Sequence, residues 1–145
     1  MHLAPCSKED FDQILGDVSD FWDSDRTLHL HLPIFFHEFG NSAFVVKEQG
    51  TVKAYLFGFL SQTKSTGYIH LVAVRRADRR KGLATELYRH FSSFAQANRC
   101  NALKAITTPS NIVSVKFHEK LGFEATVIPD YAGPGKPRVV FQKTI

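Results

Sequence analysis

Seven residues, Arg75-Arg76-Ala77-Asp78-Arg79-Arg80-Lys81, carry five cations and one carboxylate. Guanidinium groups present planar donor forks that match the oxygens of a phosphate. Gly82 and Ala84 follow, small enough for a bulky anion to lie against the backbone. Ahead of the cations stands Ile69-His70-Leu71-Val72-Ala73-Val74, an apolar, β-branched run of the length of a strand buried on both faces. Behind them Leu83, Leu87, Phe91, Phe94 and Ala95 recur at helical spacing. A strand therefore feeds a basic loop that feeds a helix, whose first turn offers unpaired N–H groups and a partial positive charge. The stretch predicts a site for a phosphorylated ligand; the plainer alternative is a solvated basic turn between two core elements.

Two phosphate loops are excluded. Lys81 precedes the only glycine of the stretch, so there is no G-x-x-x-x-G-K-[ST], and no G-x-G-x-x-G occurs. What stands there is Arg79-x-x-Gly82-x-Ala84 after Val72-Ala73-Val74. Further on comes Asn111-x-x-Ser114-x-x-Phe117-His118-Glu119-Lys120-Leu121-Gly122-Phe123.

The elements that position these residues follow from the rest of the chain. Its 145 residues suit one domain, 1–145, with a real core, and 43% hydrophobic against 22% charged content is globular. The net charge of +4 sits largely in the loop, which favours an anionic cofactor over a nucleic-acid surface. Cys6 and Cys100 lack metal or redox spacing and read as free thiols of a reducing cytoplasm. The N-terminus shows no signal-type apolar region, and no run reaches membrane-spanning length. His29-x-His31 and His37-Glu38 lack the second histidine of H-E-x-x-H, so no metal is expected.

Met1 to Ala4 reads as a short strand stopped by Pro5. Ser7-x-x-Asp10 reads as a capping box for a helix with Phe11, Ile14, Leu15 and Val18 on one face, continued by Phe21 and Trp22. A second helix spans roughly Pro33 to Phe39, with Gly40 as its C′ residue. Ala43 to Glu48 and Val52 to Leu60 form a hairpin across Gln49-Gly50. After the Gly82 helix, Ala102 to Thr107 is a strand, and two strands bridged by a helix imply parallel pairing. Thr108-Pro109-Ser110 ends that strand and caps a helix of about 111–121, with Val113, Phe117 and Leu121 as its apolar stripe and Gly122 as its stop. Phe123 to Val127 and Arg138 to Phe141 close the sheet around a stiff Gly/Pro loop.

In that strand-loop-helix setting the first motif resembles the R/Q-x-x-G-x-G/A signature of the GNAT superfamily of N-acetyltransferases. The second is similar to that superfamily's N-x-x-[AS]-x-x-[FL]-[YH]-E-x-x-G-F, and with the flanking elements the resemblance covers almost the whole chain. It implies a mixed α/β (α+β) acyl-CoA N-acyltransferase fold, with a central, mostly antiparallel sheet, one parallel βαβ step and flanking helices. It also implies acetyl-CoA as acyl donor. The backbone of Val72, Ala73 and Val74 would pair with the pantetheine arm like an added strand. Amides of Arg79, Arg80, Lys81, Gly82, Leu83, Ala84 and Thr85 would ring the pyrophosphate. Asn111 and Ser114 would face the pantetheine, with Phe117 beside them. Arg80 stands where glycine is common, and Ala84 where glycine or alanine is usual.

Acetyl transfer to an amine asks for a neutral nucleophile, an oxyanion donor and in-line positioning. A backbone N–H near Val74 is the expected oxyanion donor. His70 shares strand parity with Val72 and Val74 and stands where many members carry a glutamate, which makes it the candidate base; a packed, hydrogen-bonded histidine is the alternative. His118, four residues after Ser114, stands where many members carry a tyrosine acid, and is the candidate acid or else a cofactor-packing residue. Trp22, Arg26, Phe35 and Tyr131, with Phe36, are candidates to line the acceptor pocket; as aromatics Trp22, Phe35 and Phe36 are more often simply core, and Tyr131 reads equally as an exposed turn residue. The function implied is transfer of acetyl from acetyl-CoA to a primary amine of a small molecule or peptide, without nucleic acid or membrane. A non-catalytic acyl-CoA sensor is the competing class, and a homodimer is compatible with the resemblance.

Overall fold

Ser7 opens the first helix as its spacing predicts. In the computed structural model, which describes Met1–Ile145, its hydroxyl accepts from the Asp10 N–H while the Asp10 carboxylate accepts from the Ser7 N–H. The elements are β1 (His2–Pro5), α1 (Lys8–Gly16), α2 (Val18–Trp22), α3 (Ile34–His37), β2 (Ala43–Glu48) and β3 (Thr51–Leu60). They continue with β4 (Thr66–Val74), α4 (Leu83–Ala97), β5 (Ala102–Thr107), α5 (Ile112–Lys120), β6 (Glu124–Ile128) and β7 (Arg138–Thr144). The strands hydrogen-bond in the order β1-β2-β3-β4-β5-β7-β6. β4 and β5 run parallel across the α4 connection, while β1–β2, β2–β3, β5–β7 and β6–β7 are antiparallel. The fold is therefore the mixed α/β arrangement expected, with one parallel step.

Two compact units divide the chain, 1–59 with 69–94 and 60–68 with 95–145. The first gathers β1, β2, β3 and the end of β4 over Phe11, Ile14, Phe21, Tyr55, Phe57 and Leu71. Its β2–β3 hairpin turns through Gln49 (φ 50°) and Gly50 (φ 80°), both left-handed, as a two-residue turn matched to strand twist requires. In the second, Thr66–Tyr68 pair with Ala102–Lys104 and β7 lies between β5 and β6. Leu103, Ala105, Phe123 and Phe141 are buried there.

Several expectations need correction. β4 is not buried on both faces: Ile69, Leu71 and Ala73 are buried, whereas Tyr68, His70, Val72 and Val74 are half-buried. Valine on the open side hid the alternation. Pro5 ends β1 from within, pairing with Phe44, because a proline is tolerated at a strand end. Gly40 is not a left-handed cap but begins a 3-10 turn over Gly40–Ser42, and α3 is one turn long. Asn111, not Ser110, caps α5, its side chain accepting from the Ser114 N–H. Val113 is 80% exposed and His118 is the buried residue of α5. That helix is turned so that its polar-looking face lies inward.

Ser7→Ala removes one half of the reciprocal cap. It is expected to lower the unfolding free energy by about 1 kcal/mol, read from urea denaturation followed by circular dichroism.

Candidate functional site

Leaving β4, the chain is fixed at Arg75. Its N–H donates to Lys53 O (2.8 Å) and its Nε to Val52 O (2.9 Å). The guanidinium pairs with Asp20 (3.1 Å) and Asp17 (3.2 Å) and lies 4.6 Å from the centre of the Phe21 ring. A 3-10 turn over Arg76–Asp78 follows. Asp78 is buried, with Lys81 Nζ at 3.1 Å and Lys53 Nζ at 3.5 Å. Burial alone would raise its pKa, but the two ammonium groups prevail and hold the carboxyl below its ordinary value.

Arg79 donates to Phe21 O (3.0 Å) and Val74 O (3.3 Å) and, with Arg76, pairs with Asp23. Asp23 ends α2 in the left-handed conformation, and its carboxyl is held below the ordinary range first by the Arg79 hydrogen bond and then by Arg76. The expectation that the arginine forks face a ligand is thus corrected. α2 ends in bare carbonyls, and Arg79 supplies their donor. Of the five loop cations only Arg80 has no partner within the chain.

What the loop offers an anion is backbone. Arg80 (φ 64°) and Gly82 (φ 78°) are left-handed on either side of Lys81, the alternation that turns successive N–H groups toward one concave side. No acceptor in the chain takes the N–H groups of residues 79–85. A Cβ on Gly82 would meet nothing within 4 Å, so the space above it is open. A left-handed arginine costs roughly 1 kcal/mol, which explains why glycine is the easier residue at position 80. Unpaired donors, an open approach and the start of α4 fit a pyrophosphate.

In the same unit His70 lies face to face on Phe35, ring centres 4.2 Å apart. Its Nε2–H donates to Leu30 O (3.0 Å), which leaves Nδ1 with the lone pair. Burial pushes its pKa below the ordinary histidine value, partly offset by that hydrogen bond. A directional chain stands nearby. Trp22 Nε1–H donates to Tyr55 Oη (2.6 Å), Tyr55 O–H to His31 Nε2 (2.6 Å), and His31 Nδ1–H to Thr27 O (2.8 Å). His31, its pKa lowered by burial, is therefore a core hydrogen-bonding residue with both ring nitrogens occupied. Phe35 is buried and Trp22 half-buried, while Arg26 is exposed and reaches Trp22 O at 3.5 Å.

In the second unit the α5 residues have structural partners of their own. Asn111 Nδ2 donates to Thr107 Oγ1 (3.1 Å), and Ser114 lies on the His118 side of the helix. His118 is stacked on Phe141 (3.9 Å, 5°) and flanked edge-on by Phe117 and Phe123. Its Nδ1–H donates to Ser114 O (2.8 Å), and burial lowers its pKa. Tyr131 lies apart from α5 in the β6–β7 loop, with the Lys104 ammonium 5.1 Å from its ring centre.

The first unit thus brings together Val72–Val74, the loop and its open amides, and His70 on Phe35. The second holds Asn111, Ser114, Phe117 and His118 on one helix. Tyr55, Asp23, the core role of His31 and the pairing of Asp78 with Lys53 were missed. Tyr55 and Asp23 sit in no motif, and only the imbalance of five cations in seven residues hinted that carboxylates elsewhere must answer them. No group of three His, Cys, Asp or Glu side chains could hold a metal ion, and no helix is long and apolar enough to cross a membrane.

Residues 8–123 match the acetyltransferase (GNAT) family model. The chain is 30% identical over 105 residues to the L-2,4-diaminobutyric acid acetyltransferase of Virgibacillus pantothenticus, covering 69% of this chain and 66% of that enzyme. It therefore spans just under two thirds of that relative's length. Ard1 from Thermoplasma volcanium superposes with a TM-score of 0.79 at 18% identity, over 99% of this chain and 97% of that one. An aminoglycoside 6′-N-acetyltransferase solved with coenzyme A gives a TM-score of 0.76 at 15% identity, over the same shares.

The lowered pKa values of His31, His70 and His118 carry a linkage consequence. The unfolded chain binds protons at these sites below about pH 6.5, before the folded one does. Their stabilising contribution is full above that pH and declines as the pH falls through it. Urea midpoints are expected to drop between about pH 7.5 and about 5.5, and His118→Phe to make that drop shallower.

Proposed function

The chain belongs to the GNAT family of acetyltransferases, and from that premise we propose that it acts as a single domain moving acetyl from acetyl-CoA to a primary amine of a small molecule or peptide, by direct attack in a ternary complex. The observation that carries the reading is the loop of unpaired amides from Arg79 to Thr85, opened by the left-handed Arg80 and Gly82. Its donors suit a pyrophosphate, and Arg80 adds the one uncompensated charge. Acetyl-CoA brings an activated thioester. β4 pairs with β5 only over Thr66–Tyr68, which leaves the backbone of Val72–Val74 beyond that ladder for an extended arm to lie along.

His70 is the proposed base. An amine with a pKa near 10.4 is mostly protonated at neutral pH and must lose a proton to attack. Nδ1 of His70 has the lone pair to receive one, and the lowered pKa keeps it vacant at neutral pH. Phe35 and the Leu30 carbonyl hold the ring in one orientation. A Val74 N–H is the proposed oxyanion donor. For His118 the geometry supports packing over acid catalysis. It is neutral, its Nδ1 proton is committed to Ser114 O, and a second proton is disfavoured by burial. We assign it to positioning α5, and with it Asn111 and Ser114.

The test is thiol release from acetyl-CoA with amino acids, diamino acids, polyamines, aminoglycosides and peptides as acceptors. His70→Ala is expected to lower kcat by about a hundredfold or more while the fold is kept, and His118→Phe to leave kcat within about threefold. Reversal of the two effects would exchange the assignments. In the same assay Gly82→Val, forced into a left-handed backbone, is expected to raise the KM for acetyl-CoA about tenfold with unchanged acceptor preference. Binding of acetyl-CoA with no transfer to any amine would support the sensor reading instead.

A further inference from the structure

We infer that Tyr55 and His31 are positioning residues for the proposed base, holding His70 in the one ring orientation and tautomer that leave Nδ1 open to the acceptor. This deepens the amine-acetylation reading and rests on it. Every group involved lies in the first unit.

His70 takes its orientation from one carbonyl, Leu30 O, at 3.0 Å. That carbonyl belongs to the last residue of a 3-10 turn, Leu28–Leu30, none of whose side chains is buried. Leu28 is exposed and Leu30 half-buried, so apolar packing does little to fix the turn. Turns of this kind are short and poorly bonded on their own. The buried residues are the two that flank it, Thr27 and His31, at 6% and 4% exposure. Thr27 O accepts twice, from the Leu30 N–H (2.9 Å) and from His31 Nδ1–H (2.8 Å). The His31 N–H donates to Leu28 O (3.0 Å). Both ends of the turn are tied through His31.

His31 is tied in turn to the sheet. Its Nδ1 carries the proton that Thr27 O accepts, so Nε2 has only a lone pair, and the Tyr55 hydroxyl donates to it at 2.6 Å. Trp22 Nε1–H donates to the same Tyr55 oxygen (2.6 Å), which leaves the phenol proton one direction to point. Tyr55 is wholly buried on β3, edge-on to Phe21 at 5.0 Å and 5.0 Å from Phe57. The bridge starts on β3, crosses the turn and ends at His70 on β4, the neighbouring strand. A hydrogen-bonded chain in a low-dielectric wall holds its geometry better than a lone bond. Without it the Leu30 carbonyl is free to shift. His70 would then carry its proton on either nitrogen, and Nδ1 would no longer be reserved as the acceptor.

Ring-nitrogen NMR shifts of isotope-labelled protein read the tautomer, with His70 assigned by its loss in His70→Ala. The native protein is expected to show Nε2–H alone when neutral. Tyr55→Phe keeps the ring and removes the hydroxyl. In it His70 should become a mixture of tautomers, and kcat should fall about tenfold with the KM for acetyl-CoA kept. His31→Leu should do the same, whereas His31→Gln, whose amide oxygen accepts from Tyr55 in place of Nε2, should restore most of both. Should Tyr55→Phe fold poorly, the His31 pair decides, compared at equal folded fraction by circular dichroism. A single Nε2–H tautomer with native kcat in Tyr55→Phe and His31→Leu would overturn the positioning role and leave the transferase reading intact. Full kcat in His70→Ala would instead overturn the base assignment, and with it the catalytic meaning of the bridge.

Discussion

The Arg75 guanidinium is the joint on which the first unit depends. It answers carboxylates at both ends of the α1–α2 corner, Asp17 and Asp20, lies on Phe21, and closes on the Val52 carbonyl of β3. Its side chain is only 13% exposed, so the charge is one that cannot lose its partners without leaving a cation stranded against an aromatic wall. Everything downstream inherits its placement. The 3-10 turn begins at its carbonyl, Asp78 folds back to Lys53 on the same strand, and Arg79 returns to the end of α2. The anion loop is built by internal ion pairs before any ligand arrives.

That construction bears on where the anion affinity proposed for the loop would reside. A row of cations suggests a Coulombic trap, but Asp17, Asp20, Asp23 and Asp78 compensate most of it. The remaining attraction is the summed dipole of amides held in fixed directions. Such donors are short-ranged and shape-selective, less sensitive to salt than mobile side chains. The same economy of charge holds at His31, His70 and His118, all biased to the neutral ring by burial.

The strand-loop-helix frame, the hairpin and the Ser7 cap were legible because each is local: periodicity, a two-residue turn and a reciprocal cap leave marks within a few residues. The phase of α5 was not, because the apolar spacing of Val113, Phe117 and Leu121 competed with a histidine whose burial depends on Phe141, a distant partner. For the site, the backbone of the loop was readable through Gly82 and Ala84. The fate of its arginines was not, since the answering aspartates lie some fifty residues earlier in the sequence.

The hydrogen bond from Trp22 to Tyr55 has a practical side. Trp22 is the only tryptophan of the chain, half-buried in the first unit, its indole N–H fixed on a phenol that is wholly enclosed. Intrinsic indole fluorescence is therefore a private signal of the His31–Tyr55 neighbourhood. It reports the loosening of that wall.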